Sequence, residues 1–237
     1  PLSIILASPQ FLYLVENQNG NQSPAQISPA ELAVRLAYFL WSGPPDEELL
    51  KLASSGTLSQ PDVLAKQTDR LLADPKSMRW IEGFTHQWLH MDRLDFFIFN
   101  YRNFWEFDAS MKIAARQEVY QTMATLLRED RSIKDLLYSD YVVVNDLLAN
   151  YYGIEGLAGR EFHKVTLPEN SVRGGLLGMA AIHAMGADGE RSSPVERGAW
   201  ILRTLLNAPP PPAPPNVPQI NTSAGELSSA RELLSLR

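Results

Sequence analysis

Asp108-Ala109-Ser110-Met111-Lys112-Ile113-Ala114-Ala115-Arg116-Gln117-Glu118-Val119-Tyr120-Gln121-Thr122-Met123-Ala124-Thr125-Leu126-Leu127-Arg128 decides the fold class. Asp108 is a helix cap, because its carboxylate can accept from the orphan N–H groups of the first turn. Behind it Met111, Ala115, Val119, Met123 and Leu126 recur at helical spacing, opposite Lys112, Arg116 and Arg128. A stripe of that length predicts the central helix of a mainly α protein.

The same grammar extends upstream. Ser28-Pro29-Ala30-Glu31 spells a capping box, and Leu32, Leu36, Phe39 and Leu40 give its helix an apolar face ending near Gly43-Pro44. Pro45 opens a short helix through Leu49, Leu50 and Leu52. Ser59 with Asp62 starts another, carrying Leu64, Leu71 and Leu72, which Asp74-Pro75 closes. A further helix runs from about Lys76 to His90. The aromatic connection Phe96-Phe97-Ile98-Phe99-Asn100-Tyr101-Arg102-Asn103-Phe104-Trp105 is too apolar for a free linker and is expected to pack down.

Downstream, Ser132-Ile133-Lys134-Asp135 starts a short helix, and Asn145 caps one reaching Tyr151 before Gly153. Tyr141 to Val144 and Glu161 to Leu167 read as extended, enough for a minor two-stranded ribbon and too little for a sheet core. Ser193-Pro194-Val195-Glu196 begins a helix that carries Arg197 and Trp200. It feeds Pro209-Pro210-Pro211-Pro212-Ala213-Pro214-Pro215, which cannot be helical and reads as a polyproline strut. Residues 221–225 read as a loop, and Glu226 to Arg237 as a last helix. The expected architecture is an irregular multi-helix bundle: a helical domain over 1–170, a two-helix extension over 171–208, and a strut with a final helix over 209–237. That last part is expected to lead towards a downstream segment.

The 237 residues are 45% hydrophobic, enough for a proper core. Lys and Arg number 21 against 27 Asp and Glu, a net −6 with no basic cluster, which disfavours nucleic acid and anionic membranes as partners. No apolar run reaches the roughly 20 residues of a membrane span. Pro1-Leu2-Ser3-Ile4-Ile5-Leu6 lacks an initiator Met and a basic leader, so these residues are expected to lie inside a longer chain. The absence of cysteine removes disulfides, thiolate metal sites, thiol nucleophiles and covalent c-type haem attachment from these residues.

Candidate chemistry is sparse. His86-Gln87-Trp88-Leu89-His90 has the i, i+4 spacing at which two imidazoles can share a metal ion. Gln87 stands where a zinc protease has its glutamate, however, and Arg79, Glu82 and Arg93 mark a solvated face. Leu176, Met179 and Ala180 are expected to bury His183 as a hydrogen-bonded core histidine, with an axial haem ligand as the competing reading. His163 has no evident partner. Arg197 and Trp200 are candidates for a cofactor or partner surface. No Gly-x-Ser-x-Gly elbow or phosphate loop occurs, and Asp46-Glu47-Glu48 and Glu129-Asp130 sit at helix ends where the dipole or solvent accounts for them, so no catalytic residue is nominated.

A set of longer motifs is more specific. Ser8-Pro9-Gln10-Phe11-Leu12-Tyr13, Arg35-Leu36-Ala37-Tyr38-Phe39-Leu40-Trp41, Pro45-Asp46-Glu47-Glu48-Leu49-Leu50, Leu127-Arg128-Glu129-Asp130-Arg131-Ser132, Asn150-Tyr151-Tyr152-Gly153-Ile154 and the stretch Arg173 to Pro218 occur in that order. Together they resemble the planctomycete-type domains of unknown function found in large cytochrome-associated proteins. The resemblance implies export to the periplasm or beyond, a c-type cytochrome module elsewhere in the parent protein, and a downstream Cys-x-x-Cys-His segment. It brings no settled activity. The implied role is a helical scaffold in an exported redox protein, orienting c-type haem modules outside this chain. Its partners would be haem-bearing segments of the same parent or another redox protein. Two alternatives compete: a non-redox module in which Phe96–Trp105 and the strut dock a protein or polysaccharide, and a metal-dependent hydrolase using His86 and His90.

Overall fold

The computed structural model describes residues 2–13, 27–96, 98–100, 102–187, 189 and 193–211. The chain divides into two compact units between Ser77 and Met78.

The first unit contains α1 (Leu2–Leu6), α2 (Pro9–Leu12), α3 (Pro29–Trp41), α4 (Glu47–Ser54) and α5 (Pro61–Ala73), followed by a 3-10 turn over Pro75–Ser77. Both halves of the capping box form on α3: Ser28 Oγ accepts from Glu31 N–H, and Glu31 accepts from Ser28 N–H at 2.8 Å. The cap of α4 is Asp46, whose side chain accepts from Leu49 N–H at 3.0 Å. On α5 the cap position is Gln60 rather than Ser59, because Pro61 occupies the first helical position and fixes the start there. Ala33, Ala37, Leu40, Trp41, Leu49, Ala53, Leu58 and Leu71 are the buried apolar residues of this unit. The Trp41 indole N–H donates to the Leu71 carbonyl at 2.9 Å, and Lys76 Nζ lies 4.3 Å from the centre of its ring.

The second unit is built around α8 (Ala109–Arg128), which packs on α6 (Met78–Leu89), α9 (Asp146–Tyr152), α10 (Ala180–Met185) and strand β1 (Tyr141–Val144). Asp108 caps α8 through Met111 N–H at 2.9 Å. The stripe read from the sequence is buried, and so are Ala114, Glu118, Tyr120, Thr122 and Ala124. Neighbours on several sides therefore cover α8 well beyond one stripe. Strand β2 (His163–Thr166) pairs antiparallel with β1, Tyr141 opposite Thr166 and Val144 opposite His163, and this ribbon is the one sheet among the described residues. The fold is mainly α, as the pattern predicts.

The remaining pieces are short: α7 (Arg93–Phe96), 3-10 turns over Ile133–Leu136 and Leu176–Gly178, and α11 (Pro194–Trp200), which passes into a π turn over Ile201–Leu205. The aromatic connection packs down only in part. Phe99 and Phe104 lie against the core and Phe107 is buried, whereas Ile98 is 91% exposed, Phe96 79% and Trp105 63%. Phe97 and Tyr101 lie outside the described residues, as do the strut beyond Pro211 and the expected last helix.

Candidate functional site

Arg173-Gly174-Gly175 positions the site. Gly174 (φ +113) and Gly175 (φ +69) occupy backbone conformations that side chains disfavour. A Cβ on Gly174 would stand 2.2 Å from the Ser139 carbonyl oxygen, and one on Gly175 2.6 Å from that of Leu137. Gly175 N–H donates to Ser139 Oγ at 3.0 Å. This close approach pins Arg173 over α9, with its guanidinium carbon 3.7 Å from the centre of the Tyr152 ring and Nη1 donating to the Gly178 carbonyl at 3.3 Å.

Beneath that stack lies a buried acid. Glu118, on α8, is 0% exposed. Its Oε2 accepts from the Tyr152 hydroxyl at 2.6 Å, and that hydroxyl in turn accepts from Ala180 N–H at 2.8 Å. Glu118 Oε1 has no hydrogen-bond partner. Burial pushes the carboxyl up to about 8, outweighing the lowering by the Tyr152 hydrogen bond and the Arg173 charge. Tyr152 is itself pushed far up, first by burial and then by Glu118. At neutral pH the pair is a carboxylic acid beside a phenol.

A cavity of about 280 Å³ opens beside Arg173, walled by Phe99, Phe104, Phe107 and Tyr151, with Ala180, His183, Ala184 and Ala187 on its α10 side. Phe99 and Phe107 meet edge to face at 5.0 Å. At the rim, Arg197 Nη1 lies 3.0 Å from His183 Nδ1. A guanidinium can only donate, so Nδ1 accepts and His183 is neutral with its proton on Nε2. Desolvation holds the imidazole below its usual value, and the Arg197 charge adds to the effect.

His183 and Arg197 are thus brought together across α10 and α11. His183 is exposed rather than buried: the Leu176–Gly178 turn ends in an extended Met179, and α10 starts only at Ala180, so Leu176 shares no helix face with His183. Trp200 stands apart. It is 4% exposed, and its indole N–H donates to the Leu89 carbonyl at 3.3 Å, holding α11 to the end of α6. His86 Nδ1 sits 2.8 Å from the Tyr120 hydroxyl, whose pKa is pushed up to about 12, mainly by burial. His90 lies beyond Leu89, where α6 ends, and takes φ +55. Among the described residues no three His, Asp or Glu side chains gather as a metal site would require, and no helix is long and apolar enough to cross a membrane.

Sequence reading passed over Glu118 and Tyr152. One signal was present: Met111, Ala115, Glu118 and Thr122 follow i, i+4, i+7, i+11, which puts an acid on the apolar face of the longest helix.

Residues 27–154 match the family model PSD4, a protein of unknown function (DUF1592), and residues 173–237 match PSCyt3, a protein of unknown function (DUF1588). No curated protein and no solved structure matches the chain. Both families are planctomycete-type cytochrome-associated domains of unknown function, and the first match alone spans more than half of the residues. The chain belongs to the DUF1592 family.

Proposed function

We propose that this chain is the helical scaffold of an exported redox protein and that it orients c-type haem modules lying outside these residues. The observation that carries the reading is the order of two cytochrome-associated domains along one chain that has no cysteine with which to attach a haem of its own. His183 and Arg197, joined across α10 and α11, are the polar pair we assign to the docked module, while Trp200 braces α11 behind them. The test is an optical spectrum of the full-length gene product made in a host that matures c-type cytochromes. A Soret band and reducible α-band are expected; a protein that matures without haem would end the proposal.

The exposed Phe96, Ile98 and Trp105 favour a second reading, a non-redox module that docks a protein or polysaccharide. Cross-linking of the same full-length product separates the two. Cross-links from residues 93–105 and 183–197 to a haem-bearing segment support the scaffold. Retention on an insoluble polysaccharide that is lost in a Phe96→Ser/Trp105→Ser variant, without such cross-links, supports the module.

A further inference from the structure

The cavity walled by Phe99, Phe104, Phe107 and Tyr151 is an aromatic cup with one strong cation on its edge. Arg173 makes no ion pair among the described residues; its contacts are the Tyr152 ring and the Gly178 carbonyl, both uncharged. Glu118 on α8 lies behind Tyr152 and has its charge suppressed by burial, and Glu169, which lines a neighbouring hollow with Arg173, forms no ion pair with it. His183, also on the lining, is neutral and adds no opposing charge. An aromatic wall beside an uncompensated guanidinium is complementary to a flat ring that carries an anion.

We propose that this cup binds a small aromatic carboxylate, with the ring between the phenylalanines and Tyr151 and the carboxylate on Arg173. The volume, about 280 Å³, lies at the lower end of what small-molecule sites occupy, which suits one or two fused rings and excludes a porphyrin. The cup shares His183 with the surface assigned to the docked module, but naphthoate binding is read on this chain alone, so its failure is distinguishable from failure of the haem reading. Arg173 also borders a second hollow of about 520 Å³ lined by Leu167 to Val172, which Ala187 does not line, so a change at Ala187 tests the aromatic cup and not that hollow.

The test titrates the purified chain with 2-naphthoate, followed by ligand-observed NMR and calorimetry, with 2-naphthamide and acetate as controls. Saturable naphthoate binding is expected, with the amide at least tenfold weaker and acetate weaker still. Arg173→Met removes the charge and should cost at least tenfold. Ala187→Leu fills the cup and should abolish binding while circular dichroism and melting stay those of the parent chain. Equal binding of acid and amide, unchanged binding in a folded Ala187→Leu variant, or no naphthoate binding at millimolar concentration each overturns the proposal.

Discussion

Tyr152 donates its hydroxyl proton to Glu118 Oε2 at 2.6 Å, joining α9 to the middle of α8, and Ala180 N–H completes the line from the other side at 2.8 Å. The acid is therefore hydrogen-bonded at one oxygen only and is kept out of water entirely. A carboxyl so placed is tolerated as the neutral acid and is costly as the anion.

Stability consequently depends on pH with a definite sign. Below the ordinary carboxyl value of 4.5 Glu118 is protonated both folded and unfolded, and it contributes no slope. Between there and about 8 the unfolded chain releases the proton and the native one keeps it, so stability falls by up to about 1.4 kcal/mol per pH unit; above about 8 the slope vanishes. Glu118→Gln cannot ionise and keeps the acceptor for Tyr152. Urea midpoints at pH 5, 6.5 and 8 should fall for the parent chain and fall markedly less for Glu118→Gln. Parallel trends in the two proteins would contradict the assignment.

Tyr152→Phe keeps the ring beneath Arg173 but removes the hydroxyl that serves two buried groups at once. Ala180 N–H and Glu118 Oε2 would both lose their partner, a loss of about 2 kcal/mol. Because the two residues act as one unit, Tyr152→Phe combined with Glu118→Met, which removes the acceptor, should differ from the sum of the singles by at least about 0.5 kcal/mol. Additive effects in chemical denaturation would show that the contact carries no coupling.

Local grammar was legible where a residue and its partner lie within one turn. Asp108 with Met111, both halves of the Ser28–Glu31 box, Asn145 with Leu148 and the left-handed Gly153 are all written in a few adjacent residues. The ribbon was legible as two isolated β-branched runs, Tyr141–Val144 and the segment around Val165. The site was not, because its meaning depends on distance along the chain: Glu118 meets Tyr152 34 residues later, and Tyr152 meets Ala180 28 residues after that. The i, i+4 spacing of His86 and His90 suggests a shared face, but a helix ending at Leu89 does not carry His90. His183 is exposed for a related reason, since the extended Met179 interrupts the helical phase that would place Leu176 over it.

Gly175 gives a test of the backbone that holds Arg173. A methyl group there meets the Leu137 and Leu136 carbonyls at 2.6 and 2.9 Å, on top of a positive φ. Gly156 also has positive φ, +84, but open space around its Cα. Gly156→Ala should cost about 1 kcal/mol, the conformational term alone. Gly175→Ala should cost several times that, since carbonyls fixed by the turn cannot retreat. Similar melting temperatures for the two variants would mean that the approach to Leu137 is loose.

Asp46 performs two tasks in the first unit, and they can be separated. Its Oδ1 caps α4 by accepting from Leu49 N–H, while both oxygens accept from the Arg70 guanidinium at 2.7 and 3.1 Å. The Arg70 hydrogen bond is the main reason the carboxyl lies below its ordinary value, with burial opposing it and the Leu49 bond assisting. A lowered acid stabilises above the unfolded value near 3.8 and loses that contribution as pH falls through the folded one. Both side chains are 31% exposed, so the ion pair is worth less than about 1 kcal/mol. Asn caps a helix as well as Asp does, and Asp46→Asn should therefore cost only about 0.5 kcal/mol at pH 7, whereas Asp46→Ala, losing cap and pair together, should cost about 1.5 kcal/mol. In Asp46→Ala, Arg70 retains the Gln67 side-chain oxygen at 2.8 Å, so no unpaired charge enlarges the loss. If the two variants unfold at the same urea concentration, the cap contributes nothing and the loss belongs to the charge pair.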